Sequence, residues 1–202
     1  MPAYWNEKAE TMSRDELASH QLTKLKETIR RVYEHNAFYK AKMDAVEVKP
    51  GDIEMLEDIR HLPFVDKNDF RDQYPLGMLS VDRGSLREMH MSSGSTGAPV
   101  VMAYTQNDLD QWGECMARCY YMAGLASGDC IQITPSFGLF NGGFGFYHGA
   151  RISKMFVVPT GAGNTPRQIK LMQDFKVKGL MGVVSYGIRI MEVLEEQKED
   201  LP

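Results

Sequence analysis

The sequence predicts an α/β protein: a helical N-terminal region followed by βαβ units. Three observations support that. Up to about residue 80, apolar residues recur at helical spacing between loops. Beyond it, short β-rich runs alternate with helical stretches, the pattern of parallel strands joined by crossover helices. The 202 residues are 43% apolar and 25% charged, enough to bury a core without a metal or disulfide.

Ser13-Arg14-Asp15-Glu16 forms a capping box, in which the serine hydroxyl and the glutamate satisfy free backbone donors. The helix it opens carries Leu17, Leu22, Leu25, Ile29, Val32 and Tyr33 and runs to about His35. Lys49-Pro50-Gly51-Asp52 is a turn, and a short helix follows through Ile59. Asp66 and Asp69 frame another cap, whose helix ends before Tyr74-Pro75. Leu86 to Met91 and Val100 to Tyr104 are strands. Thr105 and Asp108 cap a helix that stops near Gly124. Cys130 to Thr134 is a strand, and a glycine- and aromatic-rich segment occupies Phe137 to Gly149. A strand follows at Lys154 to Pro159, then a helix from Thr165-Pro166 to Lys176 with proline in its first turn. A strand at Gly179 to Val183 and a helix from Tyr186 to Lys198 complete the chain. The change of character divides it into 1–80 and 81–202.

Lys plus Arg number 23 against 27 Asp plus Glu, a net charge of -4, which argues against a sequence-independent nucleic-acid binder. No run approaches the roughly 20 apolar residues that span a bilayer. The start, MPAYWNEKAE, lacks a signal-peptide pattern, so no membrane role and a cytoplasmic location are expected. Cys115, Cys119 and Cys130 lack metal-ligand spacing and are expected to be buried, reduced thiols, with no metal site.

The segment Ser92 to Pro99, between two strands, carries the strongest functional signal. Gly94 and Gly97 permit positive φ and close backbone approach, so that amide groups can face one concavity. Ser92, Ser93, Ser95 and Thr96 add hydroxyl donors without bulk. Such a loop suits phosphate oxygens, although turn chemistry explains the same residues. It is not a Walker loop, which needs a lysine and a following helix. Phe137, Phe140, Phe144 and Phe146 with their neighbouring glycines suit either a flat aromatic slot or packing against the sheet. His148 has no carboxylate at useful spacing and is expected to be structural.

SSGSTGAP between strands resembles the phosphate-loop signature of the adenylate-forming superfamily, and the surrounding residues resemble one branch, the phenylacetate–CoA ligases. Tyr4-Trp5-Asn6, Glu10-Thr11, Arg31-Val32-Tyr33 and Phe38-Tyr39 are similar to that family's amino-terminal helix. Leu62-Pro63-Phe64, Lys67, Asp69, Arg71-Asp72 and Tyr74-Pro75 resemble its next stretch. Phe137 to Phe140, Gly142-Gly143 and His148-Gly149-Ala150 resemble the aryl-acid pocket segment, and Gly163-Asn164-Thr165 and Ser185-Tyr186 fit as well.

The resemblance implies ATP, Mg²⁺ and coenzyme A as reactants and cofactors. It also implies phosphate binding by Ser92, Ser93, Gly94, Ser95, Thr96 and Gly97, and an aryl-acid pocket at Phe137, Gly138, Phe140, Gly143 and Phe144. The family's usual lysines flanking the loop proline are replaced by Ala98 and Val100. Family members are about twice this length. Residues 81–202 would then be an incomplete, truncated part of the adenylate-forming large domain. The Tyr-Gly-x-Thr/Ser-Glu motif, the ribose-binding aspartate and the terminal catalytic lysine have no counterpart, so no catalytic residue is expected here. A chain without its carboxy-terminal half is expected to associate with itself or with the missing part. Two other functions stay open: adenylyl transfer to a different acceptor, as in the deazaflavin-cofactor adenylylating synthetases, and a non-catalytic fragment acting by assembly.

Overall fold

A computed structural model describes residues 3–94 and 97–197. The chain divides into two compact units, one of Glu7–Thr105 and one joining the first six residues to everything from Gln106 onward. The boundary at Thr105 lies beyond the change of sequence character near residue 81, because the first two strands pair with each other.

In the first unit, α1 (Glu7–Glu10) leads to α2 (Arg14–His35), opened by the Ser13/Glu16 capping box. Asn36 does two jobs. Its amide ends α2 on the Val32 carbonyl at 3.1 Å, and its side-chain oxygen accepts from Phe38 and Tyr39 N–H to start α3 (Ala37–Ala45). Sequence spacing did not separate α3 from its neighbours. Ile29, Met43 and Ile53 form the buried centre, with Leu22, Leu25, Tyr33, Val48 and Leu62 packed around it. Short 3₁₀ turns cover Pro50–Asp52 and Leu56–His61. The Asp66/Asp69 box opens α4 (Lys67–Asp72), which is tied to α3 by Lys42 donating to Asp69 at 2.6 Å. β1 (Leu86–Met91) and β2 (Val101–Thr105) form an antiparallel hairpin, so the parallel arrangement does not extend to them.

The second unit carries a three-stranded parallel sheet in the order β4-β3-β5, with β3 (Cys130–Ile133) central, β4 (Phe156–Val158) and β5 (Gly179–Met181). α5 (Gln106–Met122) precedes β3, α7 (Thr165–Phe175) crosses from β4 to β5, and α8 (Val184–Gln197) follows. The predicted end of the last helix, at Lys198, lies outside the described residues. Tyr120, Leu125, Ile131, Ile133 and Ala150 pack one buried cluster; Ile169, Met172, Ile190, Val193 and Leu194 pack another. Trp5 and Asn6 belong here too, donating to the two oxygens of Glu114 on α5 at 2.8 Å each.

The glycine- and aromatic-rich segment is largely helix: α6 spans Asn141–Ile152 and joins β3 to β4. Its glycines are there for closeness. A Cβ on Gly145 would lie 2.5 Å from Trp112 of α5, and one on Gly149 would lie 2.4 Å from Met116. Gly113 of α5 answers them, since its Cβ would meet Ile152 at 2.7 Å. The helix forms because the two backbones approach closely, which outweighs the poor helix propensity of glycine. The cysteines are free thiols, but Cys115 and Cys119 are exposed on α5 rather than buried, and only Cys130 is partly covered. Burial raises the Cys130 thiol pKa above its usual value.

Candidate active site

The loop between β1 and β2 is closed at its neck by one residue pair. Ser92 N–H donates to the Val100 carbonyl at 2.9 Å, and Val100 N–H donates back to the Ser92 hydroxyl oxygen at 2.9 Å. Further out, Gly97 N–H donates to the Gly94 carbonyl at 3.1 Å. Gly94 has φ +68° and Gly97 φ +138°, values that side-chain-bearing residues rarely adopt. The amides of Ser92 and Gly97 are thus committed within the loop, which narrows the backbone donors an anion could meet. Ser93 and Gly97 are exposed, so this stretch is not flattened into the core. Ser95 and Thr96 lie outside the described residues.

Beneath the neck, Glu88 and His90 share one face of β1, as residues two apart on a strand must. His90 is 2% exposed, 2.6 Å from a Glu88 oxygen through Nε2, with its ring edge-on to Tyr104 at 5.7 Å. Sequence reading did not single out this pair; the alternation of β1 was the available signal. Arg71 of α4 reaches the loop from the side, its Nε donating to the Ala98 carbonyl at 3.2 Å.

In the second unit, a cavity of about 440 Å³ opens at the carboxyl ends of the parallel strands. Thr134 and Pro135 follow β3, Ala162 and Gly163 follow β4, and Val183, Ser185, Tyr186 and Arg189 follow β5. The chain steps from β3 to β4 on one side and then crosses back to β5 on the other, and open α/β sheets bind ligands at the carboxyl ends of strands where the order reverses in this way. Gly163, Ser185 and Tyr186, separate in sequence, are brought together. Gln168 holds the rim, donating to the carbonyls of Gly161 at 2.8 Å and Gly163 at 3.1 Å, and it accepts from Gln132 at 2.6 Å. Thr134 donates its hydroxyl to the Met181 carbonyl at 3.0 Å.

No protein-family profile matches the chain. Curated relatives do. A phenylacetate-coenzyme A ligase of Aromatoleum evansii is 40% identical over 194 residues, covering 96% of this chain and 44% of that protein. Enzymes of the same name from Pseudomonas putida and Thermus thermophilus are 37% and 39% identical, covering 95% and 91% of this chain. The chain belongs to the phenylacetate-coenzyme A ligase family. It spans 44% of the length of the first two relatives, which agrees with the amino-terminal half that the sequence resembles. A solved 2-hydroxyisobutyryl-CoA ligase with 2-HIB-AMP and CoA matches 98% of this chain and 48% of its own at a TM-score of 0.89 and 27% identity.

In this phenylacetate-coenzyme A ligase relative, the five expected acid-pocket residues lie together at the start of α6. Phe137 and Phe144 meet edge-on with ring centroids 5.5 Å apart, and Tyr147 stands edge-on to Phe137 at 6.2 Å. Phe140 is the residue before α6 and is 53% exposed, while Gly138 is exposed beside it. Gly143 is buried, and a Cβ there would press on the Ser136 carbonyl at 2.8 Å and the Phe137 ring at 3.0 Å. His148 stacks on Phe144 at 6.3 Å and tilts toward Trp112 at 5.7 Å. None of the five lines the strand-end cavity, although Pro135 does, two residues before Phe137.

Proposed function

We propose that the chain is the adenylating part of an aryl-acid–coenzyme A ligase acting on phenylacetate or a close analogue. In that reaction a carboxylate oxygen attacks the α-phosphorus of ATP, acyl-adenylate forms and pyrophosphate leaves; the coenzyme A thiolate then displaces AMP. The observation that supports this most is the 92–100 loop: strapped at its neck by Ser92 and Val100, exposed at Ser93 and Gly97, and kept open by two glycines in left-handed backbone. Chemistry of this kind gains chiefly from positioning and electrostatic stabilisation of phosphate oxygens. Ser93, Gly94, Ser95, Thr96 and the Ser92 hydroxyl would meet those oxygens, while Gly97, whose amide is committed to the Gly94 carbonyl, would shape the loop around them. Mg²⁺, held largely by the nucleotide's own phosphates, would neutralise part of their charge.

The edge-on Phe137/Phe144 pair with Phe140 beside it suits a phenyl ring, since aromatic rings favour such geometry over face-to-face stacking. Gly138, with open space where a side chain would stand, leaves room for it, while Gly143 lets the Phe137 ring pack close. The 202 residues contain no counterpart of the adenine-binding motif or the terminal lysine, so the chain alone is expected not to form the thioester. Val184, Ile188 and Met191 lie along α8 at helical spacing and are 81%, 53% and 62% exposed, an apolar stripe that favours association with another copy or a complementary half.

Calorimetry on the purified chain with Mg-ATP and with phenylacetate tests the reading. Both are expected to bind, and heat from neither would reduce the chain to a non-binding relative. Coenzyme A thioester formed from phenylacetate and ATP by these residues alone would overturn the expected incompetence. A clean monomer in light scattering at micromolar concentration would count against association.

A further inference from the structure

The second unit carries another cavity, of about 300 Å³, at the amino ends of its parallel strands. Ala126 and Ser127, which precede β3, and Ser153 and Met155, which precede β4, stand in its wall. Ser153 closes α6, its N–H donating to the Gly149 carbonyl at 2.9 Å, and the residue is only 3% exposed. Its hydroxyl is buried and has no hydrogen-bond partner among the described residues. Such an atom is costly and uncommon in a folded protein, and beside a cavity it invites a partner from outside. We propose that this cavity is a second ligand site, which takes a small neutral phenol whose oxygen pairs with the Ser153 hydroxyl.

The walls select that chemistry. Tyr4, Trp5 and Tyr121 contribute rings, and those of Trp5 and Tyr121 are tilted by 55° with centroids 6.4 Å apart. Aromatic groups favour such inclined contacts over face-to-face stacking, so a further ring suits this wall. The indole N–H of Trp5 is already given to Glu114 at 2.8 Å, which fixes the ring in place. Ala117 of α5, fully buried, adds apolar surface without bulk. No acidic or basic side chain lines the cavity among the described residues. A carboxylate there would be buried without a counter-charge, which disfavours an acid. Ligand cavities of about 300–1,000 Å³ are usual, so this one has room for a single substituted ring rather than a nucleotide. A hydroxyl both donates and accepts, so Ser153 can meet a phenolic oxygen in either sense.

The site differs from the proposed acid pocket in place as well as in charge. Phe137 and Phe144 follow the carboxyl end of β3, whereas Ala126 and Ser127 precede its amino end. A neutral phenol and the phenylacetate anion would therefore bind without competing.

The test adds phenol to the 202-residue chain and follows its two tryptophan indole N–H signals by two-dimensional NMR. Toluene, of nearly the same shape but without the hydroxyl, is the control. Phenol is expected to shift the Trp5 signal and leave that of Trp112 in place, and to bind about two- to tenfold more tightly than toluene. Saturating phenylacetate should not displace it. In S153A the preference for phenol should vanish, while the melting temperature stays level or rises, because alanine removes a buried hydroxyl that has no partner. A Trp5 signal indifferent to phenol would overturn the proposal, and so would equal binding of phenol and toluene by the wild type. An S153A chain that melts lower would show the hydroxyl already satisfied within the fold. A preference for phenol that survives in S153A would place the ligand's oxygen elsewhere, and displacement by phenylacetate would move phenol to the acid pocket; each of these three results also overturns the assignment.

Discussion

Ser92 holds the neck of the loop through a single oxygen, which accepts the Val100 amide. Replacing it with alanine leaves that half-buried donor unmet, at a cost of about 1–3 kcal/mol. Urea unfolding of S92A should show this as a lowered midpoint. Asn36 is the other residue with disproportionate duty. One side-chain oxygen caps α3, while its amide nitrogen donates to the carbonyls of Gly77 at 2.9 Å and Leu79 at 2.8 Å. N36A loses the cap, for which about 0.5–2 kcal/mol is typical, and releases two carbonyls besides. Its unfolding midpoint is expected to fall further than that of S13A, whose capping box is exposed.

At the scale of elements, α6 is the informative one. Four glycines in a twelve-residue helix would ordinarily favour a loop, and only the approach of α5 makes the helix the better outcome. An alanine at 145 would raise intrinsic helix propensity yet push a methyl into the Trp112 ring. G145A is therefore expected to destabilise by about 1–3 kcal/mol despite the better helix former, with a shift in Trp112 fluorescence. A gain in stability would show that the two helices part easily. Across the sheet, Gln132 and Gln168 are both fully buried, and Gln168 pins the rim of the strand-end cavity. Q168L keeps the volume but abandons the carbonyls of Gly161 and Gly163. The expected result is faster hydrogen exchange confined to residues 161–164.

For the molecule as a whole, several acids have carboxyl pKa values held below their ordinary range. Asp44 is lowered by hydrogen bonds from Lys40, Lys49 and Tyr33, Asp69 by Lys42 and the Asp66 amide, and Asp129 by Lys178 and the Ala126 amide. A lowered carboxyl pKa in the folded state means that the charged form is favoured there. The stabilisation is complete above the unfolded value near 3.9 and is lost as pH falls through the lower folded values. Stability should therefore hold from neutrality to roughly pH 4 and decline below it. D69N and D129N should each flatten that decline, most visibly at low salt, since exposed pairs are screened. An acid limb unchanged in both variants would place the sensitivity in other groups.

Local chemistry made much of this chain legible. The Ser13/Glu16 and Asp66/Asp69 boxes marked two helix starts, and alternation marked β1 at Leu86–Met91. Thr165-Pro166 marked the start of α7, though Asn164 supplies the cap. Composition and motif order also placed the chain in its family, because a loop built of small hydroxyls and glycines is recognisable from its own residues. Other features depend on partners far along the chain. Glycines make a helix at 141–152 only when Trp112 and Met116 are pressed against them. Trp5 and Asn6 find their place only against Glu114, and Arg71 meets the loop only after α4 folds beside the β1–β2 hairpin. Capping and alternation act over a few neighbouring residues and can be read in one dimension; close packing and the meeting of a distant cation with a loop are set by the tertiary fold, where sequence separation no longer measures distance.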